Sequence, residues 1–139
     1  MTLLERFESK YEPEPNSGCW LWTGGYGHQN YGRFFVRRGY MTSAQRVAYE
    51  LYVGHIPWGL VIDHLCRNHA CVNPAHLEAV TIGENVLRGD TRTAANAKKT
   101  VCHLGHVYAE VGVYVTPLGK RNCMECRRMA DRKRYARQA

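Results

Sequence analysis

The chain has 139 residues, 19 Lys/Arg against 12 Asp/Glu, a formal net charge of +7 and six cysteines. That length holds one ordinary domain, or a compact domain with a small appendage. It contains no apolar run near the roughly 20 residues of a membrane span, and "MTLLERFESK" lacks the layout of a signal peptide, so a cytoplasmic protein with no membrane partner is expected. In a reducing compartment six cysteines point to metal ligands before disulfides.

The charge is placed unevenly. Residues 1–80 carry seven Lys/Arg and seven Asp/Glu, whereas residues 81–139 carry twelve and five. A basic half beside a neutral half implies a polyanionic partner, and nucleic acid is the expected one.

In chain order, Thr2 and Glu5 form a capping-box pattern ahead of Leu3, Leu4 and Phe7, which predicts a short helix. The prolines and glycine of "EPEPNSG" then break it. "CWLWTG" and "YGRFFVRRGY" read as strands joined by the glycine-rich "GGYGHQN". "SAQRVAYELYVG" places Ala44, Val47, Ala48 and Leu51 at helical spacing, with Gly54 as a stop. After the turn "IPWGL" come the apolar strand "LVIDH", a loop without hydrophobic period, and a second strand "HLEAV". Thr81 and Glu84 form another capping box for a helix that Gly89 closes. Residues 60–89 are therefore read as strand, long loop, strand, helix. Residues 91–100 read as a linker with some helical potential. Residues 101–139 form a second unit ending in the basic helix "CMECRRMADRKRYARQA".

Two sets of metal ligands stand out. Cys102, His106, Cys123 and Cys126 pair "CHLGH" with "CMEC", the spacing of a closed tetrahedral zinc site. His103 is an alternative to His106, although Gly105 suits a ligand on a knuckle turn. About forty residues bury little core unaided, so a structural metal makes sense there. The inner set is Cys66, Cys71 and His76, one ligand short of four. Cys19 opens a strand that could run alongside and would complete it; its alternative role is a small buried hydrophobe. Pairing Cys66 with Cys71 as a disulfide fits the compartment poorly. The six cysteines thus divide into two groups of three, each completed by one histidine.

What remains in "VIDHLCRNHACVNPAHLEAV" is Asp63, His64, Asn68, His69 and Asn73. The string "DHLCRNHACVNPAHLEAVTIGEN" resembles the HNH (ββα-metal) nuclease motif, specifically a phage-borne group with a "CxxxxCxNPxHL" loop, and its zinc-binding loop is similar to that of the His-Cys box homing endonucleases. "GCWLWTG", "YGRF", "RVAYELYVG" and the terminal "CxxGH…CxxC" ribbon resemble the same group, so the likeness covers nearly the whole chain. It implies an α+β fold: a ββα-metal core at about 60–89 within a nuclease domain 1–90, a linker 91–100, and a zinc ribbon with a basic DNA-binding tail at 101–139.

The resemblance also implies roles. His64 is the general base, and Asn73 orients its imidazole. Asp63 and Asn85 hold one divalent cation, magnesium or manganese, and His76 joins the cysteines on zinc. Arg46 is the candidate for neutralising transition-state charge. Relatives commonly read His-Arg where this chain has Gln45-Arg46, so the imidazole's contribution there has no counterpart. The implied activity is hydrolysis of double-stranded DNA to 5′-phosphate and 3′-hydroxyl ends, by a monomer or homodimer, in a bacterial host's cytoplasm if phage-encoded. The alternative is a zinc-stabilised DNA-binding protein that does not cut. Imidazole suits a base near neutral pH, and a carboxylate with an amide oxygen leaves a hard cation open to phosphate and water. Eight Lys/Arg between Lys120 and Ala139 would track phosphates. Arg33, Arg37 and Arg38 read as edge-strand charges.

Overall fold

A computed structural model describes residues 1–137. The last two residues of the expected basic helix, 138 and 139, lie outside the described residues. The chain divides into two compact units, Met1–Gly89 and Asp90–Ala139.

The first unit opens with α1 (Leu3–Glu8), capped reciprocally by Thr2 and Glu5. Its Phe7 is fully buried, with ring centroids 5.3 Å from Trp22 and 5.5 Å from Phe34. Each such side chain contributes about 2 kcal/mol of burial. β1 (Tyr11–Pro13) pairs antiparallel with β2 (Trp20–Trp22). The sequence reading expected only a break here. Proline is tolerated because this two-stranded sheet leaves β1 an edge, where a missing N–H costs nothing. Tyr11 stacks on Trp20 at 4.6 Å, closing the hairpin.

β3 (Arg33–Arg37) and β4 (Tyr40–Ser43) form a second hairpin, so "YGRFFVRRGY" holds one strand and the turn into its partner. Gly32 precedes β3 because nothing larger fits: an added Cβ would lie 2.6 Å from the Trp22 ring. α2 (Ala44–Tyr52) buries Ala44, Gln45, Val47 and Ala48. β5 (Val61–His64) and β6 (Leu77–Val80) pair antiparallel, Asp63 opposite Glu78 and His64 opposite Leu77. α3 (Ile82–Arg88) follows with the Thr81–Glu84 capping box and packs on β5. This is the ββα order expected from the sequence.

The long loop between β5 and β6 is held from outside. Leu21 bridges Cys71, Trp22 N–H donates to the Ala70 carbonyl at 2.9 Å, and Val72 N–H donates to Trp20 at 2.8 Å. So β2 runs beside the loop, and its preceding residue, Cys19, arrives at Cys71.

In the second unit, α4 (Arg92–Lys98) occupies the segment expected as linker. Thr91 caps it and its three alanines carry high helix propensity, which outweighs the polar composition. α5 (Tyr108–Val111) ends at Gly112, whose φ of 81° lets the chain reverse into β7 (Val113–Val115). β7 pairs with β8 (Arg121–Cys123), and α6 (Met124–Ala136) is the basic helix. Among the described residues no helix is long and apolar enough to cross a membrane.

Candidate active site and metal clusters

Asp63 and His64 are neighbours on β5, so their side chains leave opposite faces of the strand. Both are 3% exposed. Asp63 Oδ1 accepts from Arg67 Nη1 at 2.9 Å, and Oδ2 lies 3.5 Å from Arg88 Nη1. Arg88 also contacts Glu78 at 2.5 Å. Like charges directly across a ladder repel, and Asp63 faces Glu78. The guanidinium between them removes that repulsion and compensates a carboxylate that burial alone would disfavour. Asn85 lies three residues before Arg88, hence on the same helix face. It is half-buried and makes no side-chain hydrogen bond among the described residues.

His64 is held differently. Its Nε2 is 3.1 Å from the Cys71 carbonyl oxygen. A carbonyl only accepts, so Nε2 carries the proton and Nδ1 is left with the lone pair. Burial pushes the imidazole down to about 4 from its ordinary 6.5. The Cys71 bond and Asp63 oppose that shift, while His69 and Arg67 reinforce it. Tyr31 lies 5.7 Å from the His64 ring and stacks on His69 at 4.4 Å, and His69 is itself 5.6 Å from His64.

Two clusters of ligand atoms lie beyond this pair. Cys19, Cys66, Cys71 and His76 bring their ligand atoms within 4.8 Å of one another, as do Cys102, His106, Cys123 and Cys126. His76 Nδ1 is 3.6 Å from the sulfurs of both Cys19 and Cys71. His106 Nδ1 is 3.5 Å from Cys102 and Cys126 and 3.6 Å from Cys123. Ligands on one tetrahedral zinc, with bonds of about 2.0–2.3 Å, sit roughly 3.5–3.8 Å apart. Both sets therefore match zinc in chemistry and spacing. Burial, with the charge of Cys66 adding, pushes the Cys71 thiol up to about 12. A bound metal reverses that preference by taking the thiolate as ligand. His103 is exposed and outside the cluster.

One residue is placed otherwise than the sequence suggested. Asn73 does not hold His64: its Oδ1 accepts from Ala75 N–H at 2.9 Å and its Nδ2 donates to the Gly18 carbonyl at 2.6 Å. The cause is the following Pro74, which starts a 3-10 turn that the Asn73 side chain caps. The group that meets the His64 ring is the Cys71 carbonyl. Arg46 is half-buried on α2 and has no hydrogen bond or ion pair to Asp63 or His64. Its neighbour Gln45 is 7% exposed, and its Oε1 finds no hydrogen-bond partner among the described residues. Sequence reasoning missed Arg67, Arg88, Glu78 and Tyr31. Arg67 stands four residues after Asp63 and Arg88 three after Asn85, spacings that could have flagged both.

The first unit thus joins a ββα order, a buried Asp-His pair and a cluster of three cysteines and a histidine around the long loop. Residues 43–87 match the HNH endonuclease family. It is similar to Protein 7.7 of Escherichia phage T7, 39% identical over 67 residues, covering 48% of this chain and 51% of that protein. It is also similar to Protein 2.8 of the same phage, 34% identical over 71 residues, covering 50% and 48%. The chain thus spans about half the length of the curated relatives it matches. No solved structure matches.

Proposed function

We propose that this chain is a divalent-cation-dependent endonuclease that hydrolyses phosphodiester bonds of double-stranded DNA, leaving 5′-phosphate and 3′-hydroxyl ends. The observation that carries the reading is the Asp63–His64 pair: two buried, oppositely facing groups, each with its own partners, inside an HNH-family segment.

Asp63 and Asn85 offer a carboxylate and a carboxamide oxygen, a hard-oxygen set that suits magnesium or manganese. Such a cation supplies charge stabilisation at the phosphate and at the departing oxygen. The rest falls to the chain's own groups. His64 Nδ1 takes the proton of the attacking water, while Nε2–H stays on the Cys71 carbonyl and keeps the ring from turning. The water oxygen bonds to phosphorus, the bond to the 3′ oxygen breaks, and that oxygen takes a proton from solvent. Asp63 beside the imidazole favours its protonated form as it accepts the proton. Arg67 and Arg88, half-exposed, are available to meet phosphate oxygens. Arg46, half-buried on α2, is the other candidate for meeting charge at the phosphate.

The Cys19 cluster would hold a structural zinc that fixes the loop carrying the Cys71 carbonyl, and the second cluster a zinc that organises residues 101–126. The second unit, with eight Lys/Arg from Lys120 onward, would hold the duplex by its phosphates. A DNA-cutting protein of phage kind would act in the bacterial host's cytoplasm.

The test is a supercoiled plasmid incubated with zinc-loaded protein and added magnesium or manganese. Nicked or linear product with ends that a ligase can rejoin is expected. DNA binding without conversion under either cation would replace this reading with a non-cutting DNA-binding protein.

A further inference from the structure

Ten described residues have φ in the left-handed region, and seven are glycines: Gly18, Gly39, Gly54, Gly59, Gly105, Gly112 and Gly119. The other three are Gln29 (φ 58°), Asn30 (φ 61°) and Arg67 (φ 58°). A side chain there is strained where glycine is not, and of the three only asparagine is commonly tolerated. All three line one open cleft of about 410 Å³, together with Tyr26, Asn68 and His69. Among the described residues, then, glycine takes every left-handed position except at this cleft, which keeps side chains at a cost.

Arg67 bonds Asp63, but the side chains of Gln29 and Asn30 have no such task. Gln29 and Asn30 are exposed and make no side-chain hydrogen bond among the described residues. What packs is the backbone: the Gln29 carbonyl lies 3.0 Å from His69 Nδ1, which fixes the cleft's wall. The cleft also adjoins the proposed catalytic pair. Arg67 bonds Asp63 at 2.9 Å, and the His69 ring is 5.6 Å from His64. Successive base pairs rise roughly 3.4 Å, so the cleft sits within one or two steps of a phosphate at His64. Its volume suits one nucleotide, and it holds a guanidinium and carboxamides without any acidic group.

We propose that this cleft is a base-reading subsite, in which the Gln29 and Asn30 carboxamides hydrogen-bond an adenine edge next to the cut while Arg67 faces the adjoining phosphate. The chemistry is that of a carboxamide, which donates to N7 and accepts from N6 of adenine at once. Its placement beside the cut rests on the nuclease reading; the recognition itself does not require cleavage.

The experiment replaces both residues with the one residue that keeps the backbone: Gln29→Gly with Asn30→Gly. Duplexes with a randomised stretch are selected for binding by zinc-loaded wild type and by the double variant, without added magnesium, and sequenced. Wild type is expected to enrich adenine roughly tenfold at one or two positions, and the variant to lose that enrichment. The variant's melting temperature should be no lower than wild type's, because glycine relieves the strain. Equal enrichment by both proteins, or none by wild type, overturns the proposal. Plasmid cleavage with magnesium is scored separately, so a protein that selects adenine but never cuts sinks the nuclease reading and leaves the subsite standing.

Discussion

Replacing Cys19 with alanine tests whether it is a zinc ligand or only a small buried side chain. Cys66, Cys71 and His76 lie within one loop, so a metal bound by those three would close only short segments. Cys19 ties that loop to β2, about 47 residues away, and by the chain-entropy relation for a cross-link a loop of that size restricts the unfolded state by about 4 kcal/mol. Closing a loop of about five residues gives roughly half of that. Cys19→Ala should therefore cost about 4 kcal/mol if the other three ligands keep the metal and more if it leaves, which for a unit of this size lowers the melting temperature by roughly 15–30 °C or further. The assay is thermal unfolding by circular dichroism beside zinc content by mass spectrometry. Two zinc ions per chain are expected for wild type and one for the variant. If the variant keeps two and melts within a few degrees of wild type, the cross-linking argument is wrong and Cys19 is packing.

Three other outcomes follow from the site. Asn73→Ala should weaken zinc retention and cost about 1–2 kcal/mol through two lost hydrogen bonds, with residual cleavage on zinc-saturated protein near wild type; a cleavage loss as deep as that of His64→Ala, with zinc retained, would restore Asn73 as the residue orienting the base. Asp63→Asn should abolish the response to magnesium while shifting the melting temperature little, because Arg67 and Arg88 are half-exposed and can turn to water; titrating magnesium against cleavage rate reads this directly, and an unchanged midpoint would remove Asp63 from the cation site. His64 must be neutral to act, and its imidazole is held near 4 against an ordinary 6.5, so kcat/KM should keep its plateau below pH 6 and fall only as pH approaches about 4. For stability the sign is that of a depressed pKa: the unfolded chain takes up the proton first, so stability falls between pH 6.5 and about 4, on the order of 3 kcal/mol in all, and is flat below. A limb at pH 6.5 in protein still holding zinc would contradict the burial argument.

The ββα order was legible because it rests on local signals. A short strand led by Leu60, Val61 and Ile62, a capping box at Thr81 and a closing Gly89 need no tertiary information. The two metal clusters were legible by counting, since three cysteines lacking one ligand call for the histidine that each set contains. β1 was not legible: prolines mark a break, and the pairing that makes Tyr11–Pro13 a strand is a backbone affair with no side-chain pattern. The role of Arg88 depends on the register that sets Asp63 opposite Glu78, which no spacing within one strand encodes. Asn73 misled because its position in the motif says nothing of the 3-10 turn that claims both ends of its carboxamide. The strained pair Gln29–Asn30 carries no signature at all, because φ is not written in residue type unless the residue is glycine.

Single-turnover cleavage of a supercoiled plasmid by metal-washed, zinc-reloaded protein, wild type beside His64→Ala, tests the central claim most directly. With magnesium or manganese added back, wild type should convert the plasmid and His64→Ala, folded and carrying its full zinc, should lose at least 100-fold in rate. Equal cleavage by both proteins would mean that the base is elsewhere and that the buried pair on β5 is not the catalytic centre.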